Sequence, residues 1–105
     1  MTERAVDTNR YAEIAAREAL RQDGVVRMSS GITERLGLRK TPGVAVHAGR
    51  EGRLHFDLSI IVRDGVDLRQ LAIAIQDAVI AAMGEASSPA VAQVNVRVAE
   101  IERNE

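Results

Sequence analysis

The chain has no cysteine and no tryptophan, and among its 105 residues there is only one tyrosine and one phenylalanine. Each absence closes a class of function. Without cysteine there is no disulfide, no thiol nucleophile and no thiolate metal site, and the chain fits a reducing compartment. Aromatics at 2% leave no platform for stacking single-stranded nucleic acid, a contact worth about 1–3 kcal/mol per base. Charge of one sign is lacking too. The 14 basic and 15 acidic residues give a formal net charge of −1, so no global field draws in phosphate backbones or anionic lipid. The opening MTERAVDTNRYAE has no apolar run of the kind a signal peptide needs. No apolar stretch approaches the ~20 residues that span a bilayer. A cytoplasmic chain without direct membrane insertion is expected.

What is present is aliphatic. Hydrophobic residues make up 46% of the chain, so the core must be Val, Ile, Leu and Ala. The length is that of one domain, residues 1–105, with a flexible start over 1–7. Asp7 or Thr8 suits an N-cap. Ala12, Ala15, Ala16, Ala19 and Leu20 then recur at the spacing of one helical face, with Tyr11 and Ile14 flanking it. This predicts a first helix over 8–22, stopped by Gly24. Residues 24–31 read as a short strand. Residues 32–43, punctuated by Gly37, Pro42 and Gly43, read as a loop with room for one helical turn at 32–36.

VAVHA (44–48) pairs with RLHFDLSIIV (53–62) across GREG, whose two glycines suit a hairpin. The second of these strands gives the strongest signal. Leu54, Phe56, Leu58, Ile60 and Val62 point one way, and His55, Asp57, Ser59, Ile61 and Arg63 the other. Asp64-Gly65 breaks the alternation. Asp67 caps a second helix, with Gln70 at the third position of a capping box. Leu68, Leu71, Ala72, Ile75, Val79, Ala82 and Met83 form its buried stripe, and Arg69, Gln76 and Asp77 face water. After Gly84 and a loop, residues 91–101 make a last strand, with Val94, Val96 and Val98 inward and Asn95 and Arg97 outward. The order α-β-β-β-α-β predicts an α+β two-layer sandwich, a small mostly antiparallel sheet with two helices on one face.

No reaction follows from these residues. His55, Asp57 and Ser59 look like a triad, but they sit at i, i+2 and i+4 on one strand. Successive members are therefore about 6.5–7 Å apart, whereas triad partners must come within about 3.2 Å. His47 and His55 fall on facing strands of the hairpin and, with Asp57, have the composition of a zinc site; two surface histidines are the commoner outcome of such spacing. Neither GREG nor GITERLG follows a strand and opens a helix with a dinucleotide or phosphate fingerprint, so no cofactor is expected. Asp64 and Asp67 serve a turn and a cap. Arg35, Arg39 and Lys40 make a small basic loop. Ile61, with Ala45 and Ala99, reads as an apolar strip on an uncovered polar sheet face. That face, comprising His47, His55, Asp57, Ser59, Ile61, Arg63, Asn95 and Arg97, is the candidate interaction surface.

Four segments, taken in order, resemble the alkaline shock protein family of Gram-positive envelope stress proteins. They are YAEIAAREAL leading into DGVVRM, PGVAV, LHFDLSIIVRDGVDLRQLAIAIQDAV, and VAQVNVRVAEI. Together they cover most of residues 8–101. The chain departs from the pattern at Asp64, where an aromatic residue is expected before the glycine. The resemblance implies a non-enzymatic protein of cell-envelope homeostasis, cytoplasmic, which self-associates and reaches the inner face of the membrane through an anchored partner. It supplies no catalytic residues to carry over. The alternative is a KH-like nucleic-acid-binding module, which the missing G-x-x-G loop and the neutral charge disfavour.

Overall fold

The alternation in LHFDLSIIVR becomes a ten-residue strand, Leu54–Arg63, and the rest of the sheet is built on it. A computed structural model describes residues 7–30 and 41–103. Residues 1–6 of the start expected to be flexible over 1–7, the helical turn expected at 32–36 and the basic loop of Arg35, Arg39 and Lys40 fall outside the described residues. The elements are α1 (Thr8–Leu20), β1 (Val25–Met28), β2 (Val44–Ala48), β3 (Leu54–Arg63), α2 (Leu68–Glu85) and β4 (Val91–Glu102), with a 3₁₀ turn at Arg50–Gly52. This is the α-β-β-β-α-β sandwich that the periodicities predict.

Both β1 and β2 run antiparallel to β3. β1 pairs with Ile60–Val62 and β2 with Leu54–Leu58. β4 runs parallel to β3 over its whole length, from Leu54↔Val91 to Arg63↔Glu102. β4 therefore fills one edge of β3, and β1 and β2 lie end to end along the other. A parallel neighbour needs a crossover, which the 18-residue α2 supplies. The β3–β4 ladder skips one residue twice, at Ala92 and at Ala99, so β4 carries two bulges.

The two short strands meet at Ser59, whose N–H donates to the Gly43 carbonyl at 2.8 Å while its own carbonyl accepts from Ser29 N–H at 2.9 Å. Gly43 has φ +78°, and a Cβ there would lie 2.8 Å from Met28 Cβ and 2.9 Å from the Ser59 carbonyl oxygen. Only glycine lets the strand ends approach so closely.

Leu54, Phe56, Leu58, Ile60 and Val62 are almost wholly buried and face both helices. Tyr11 and four alanines of α1 cover them, together with Leu71, Ile75, Val79 and Met83 of α2. Small side chains on α1 allow a close approach, and the one phenylalanine fills the centre. Asp7, not Thr8, caps α1, its Oδ1 accepting from Arg10 N–H; Asp67 accepts from Gln70 N–H in the same way.

Three expectations for the helices fail. Leu20 is 46% exposed and Leu68 39%. Leu20 lies on the opposite flank of the alanine stripe from the buried Tyr11, at about 100° per residue, and Leu68 is the first residue of its helix. Gln76 does not simply face water: its Nε2 donates to the Val94 carbonyl at 3.0 Å and ties α2 to β4.

Candidate functional site

By register the eight residues of the candidate surface fall on the sheet face away from α1 and α2, and the ladders bring most of them together in pairs. Arg63, at the end of β3, also lines a groove with Gln70, Leu71 and Ala74 of α2. His47 stands directly opposite His55. Their rings stack with centroids 4.9 Å apart and planes within 3° of parallel. Parallel rings direct their in-plane nitrogen lone pairs along lines that never converge, so the pair as held does not chelate an ion. Among the described residues no group of three metal-capable side chains forms. The 3₁₀ turn helps place the pair, because a Cβ on Gly49 would fall 2.7 Å from His55 Nε2.

Asp57 opposes Asn95, whose Nδ2 donates to Asp57 Oδ1 at 2.9 Å. Gln93 Nε2 donates in turn to Asn95 Oδ1 at 3.0 Å. Ser59 opposes Arg97, and Arg63 opposes Glu102. Arg63 also reaches Asp23, beyond the end of α1, at 3.3 Å. His55, Asp57 and Ser59 thus each meet a different cross-strand neighbour, and no hydrogen bond joins the three to one another among the described residues.

Ile61 overturns the expected apolar strip. It is only 5% exposed, although it stands outside the cluster between sheet and helices. Its cover comes from the neighbouring strands. Arg27 of β1 pairs with Ile61, and Glu102 of β4 pairs with Arg63, one position on along that face. Strands flanking a central strand are roughly 9–10 Å apart, yet Arg27 Nη1 and Glu102 Oε2 meet at 2.6 Å. The ion pair must cross over β3, and it roofs Ile61. Of the other two residues of the strip, Ala45 is half-buried and Ala99 is the extra residue of a bulge.

The face also holds residues the sequence reading missed: Arg27, Gln93, Glu100 and Glu102. Arg27 was signalled by its place in VVRM, but a shift in register between Val25 and Arg27 hides the alternation. Glu100 and Glu102 come to this face only because the bulge at Ala99 resets the phase of β4. The result is a polar surface with interleaved charges, Arg27, Arg63 and Arg97 against Asp57, Glu100 and Glu102. Such a surface suits recognition of a protein with matching charges and hydrogen-bonding groups.

The model of the Asp23 family, described as of cell envelope-related function, matches residues 2–103 (the family's name has nothing to do with residue 23 here). No curated protein and no solved structure matches the chain. Among the described residues no helix is long and apolar enough to cross a membrane.

Proposed function

The chain belongs to the Asp23 family, of cell envelope-related function, and from that membership we propose that it is a non-enzymatic interaction protein of the bacterial envelope stress response. It acts by self-association and by binding a membrane-anchored protein at the inner face of the membrane. The observation that carries this reading is the open sheet face. A domain of this size has put both helices on one side of its sheet, and the other side carries paired polar side chains in place of a second layer. Its charges alternate in sign, which favours a specific protein partner over a uniformly anionic lipid or phosphate surface. The family description names no reaction, and nothing in the fold or the match favours the KH-like alternative.

The test is recovery of partners from solubilised membranes by the tagged chain, compared with a variant carrying His55→Ala, Arg63→Glu and Arg97→Glu. These side chains project outward, so the variant should fold and lose its envelope partner. Equal recovery by wild type and folded variant would sink the docking role of this face.

A further inference from the structure

The sheet has a second unpartnered feature besides its open face. β4 is hydrogen-bonded to β3 on one side only, and among the described residues no strand pairs with its other edge. Natural edge strands that remain monomeric are short, or carry charge, proline or bulges; the two bulges of β4, at Ala92 and Ala99, lie towards its ends and leave Gln93–Val98 in unbroken register between them. β4 is twelve residues long, contains no proline and turns Val94, Val96 and Val98 inward.

The helix beside this edge is apolar where it should be polar. Ile73 is 46% exposed and Ile80 51%. They stand at i−3 and i+4 from Gln76, hence on the same flank of α2, and Gln76 is bonded to the Val94 carbonyl. Both isoleucines therefore overlook the free edge. Ile80 lines a groove there with Gln76, Val91 and Val94. Ile101, 49% exposed, stands at the far end of the same edge. Half of the six large exposed hydrophobics among the described residues lie along it.

We propose that this edge docks a second copy of the chain, β4 against β4 in antiparallel pairing, about a two-fold axis at Val96. The proposal names the surface for the self-association invoked above. Two independent alignments place the axis. The first is the strand pattern. With Val96 opposite itself, Val94 faces Val98 of the second copy, Asn95 faces Arg97, and Val91 faces Ile101. Aliphatic residues meet on the helix side, Asn95 meets Arg97 on the open side with Gln93 against Ala99 and Glu100 against Ala92, and no like charges oppose. Moving the centre to Arg97 would set two guanidinium groups against each other, which is unfavourable.

The second alignment comes from the helix. α2 runs back along β4, level with it at Gln76 and Val94. Ile73 lies about 4.5 Å from Gln76 along the helix axis, at 1.5 Å per residue. On β4, rising about 3.3 Å per residue, that distance reaches the level of residues 95–96. Ile73 thus sits at the same axis and meets its own copy there. Ile80, about 6 Å the other way, comes level with Ala92, near Ile101 of the second copy. The dimer would continue both layers into a sheet twice as wide. The bond from Gln76 is no obstacle, because a carbonyl oxygen has two lone pairs.

The test is sedimentation equilibrium of the full chain up to about 1 mM, with circular dichroism to confirm folding of each variant. A dimer is expected. Ile73→Asp and Ile80→Asp, both on exposed helix positions, should each weaken it by about tenfold or more, since each change is made twice. The outer-face variant His55→Ala with Arg63→Glu should leave it intact, which separates this contact from the docking face. The chain has no cysteine, so Asn95→Cys mixed with Arg97→Cys should give a disulfide on oxidation. Directly opposed Cα atoms about 4.5–5.5 Å apart meet the geometry of that bond. A monomer at every concentration overturns the proposal, as does a dimer indifferent to Ile73→Asp in which the mixed cysteines fail to link.

Discussion

Arg27 and Glu102, 75 positions apart, close a 2.6 Å ion pair across the central strand, and Ile61 lies beneath it. The pair ties β1 to β4, which share no hydrogen-bond ladder and each pair with β3 instead. Both side chains remain partly exposed, which limits the Coulombic gain to about 0–1 kcal/mol. The stem of the arginine adds cover for apolar surface. Arg27→Ala should therefore cost about 1 kcal/mol in urea unfolding. Ile61→Asp, which buries an unpaired charge, should cost at least about 3 kcal/mol. Loss of binding in an Ile61→Asp variant would then report unfolding rather than a lost contact.

Phe56 is completely buried at the centre of the helix-facing side of β3. Phe56→Ala should cost about 3–5 kcal/mol by chemical denaturation. A loss under about 1 kcal/mol would mean that the two faces of β3 are reversed.

Two glycines with positive φ give opposite expectations. A Cβ on Gly43 would strike Met28 and the Ser59 carbonyl, whereas one on Gly65, at φ +94°, meets nothing within 4 Å. Gly65→Ala should cost only the backbone strain, about 1 kcal/mol. Gly43→Ala should cost clearly more, about 2–3 kcal/mol. Thermal melts of the two variants side by side check the difference, and equal shifts would remove the close approach from the explanation.

Asp67 caps α2 through its Oδ1. Asp67→Ala should lower stability by about 1 kcal/mol, while Asp67→Asn, which keeps an accepting oxygen, should cost much less. Equal losses would assign the effect to charge near the helix start rather than to the hydrogen bond.

The sequence made β3 and the two helices legible through their periods. β3 alternates over ten residues with one fault, Ile61, and Gly, Pro and Asp mark most of its neighbours' ends. Much of the candidate face followed from that alternation alone. What escaped depends on alignment between distant segments. The stacking of His47 on His55 needed the hairpin register, which two glycines in GREG leave open. The burial of Ile61 needed a residue of β1 and a residue of β4 that share no local pattern. The bulge at Ala99 shifts the phase of β4, so Glu100 and Glu102 could not be placed by counting twos from Val94. Gln76 reads as a polar helix residue, and its bond to a strand carbonyl has no sequence signal.

Laying β1 and β2 along one edge of β3, with β4 on the other, also orders the assembly of the chain. β2 joins β3 through a tight turn, with partners only 6–14 residues apart, whereas β4 and β1 pair with β3 across 37–39 and 32–37 residues. Loop closure grows costlier with length and slows folding through non-local contacts. The hairpin is therefore expected to form the early nucleus, and β1, only four residues long, to dock late and open first. Hydrogen exchange in the native state would show it, with β3 amides the slowest to exchange and those of β1 released well before global unfolding.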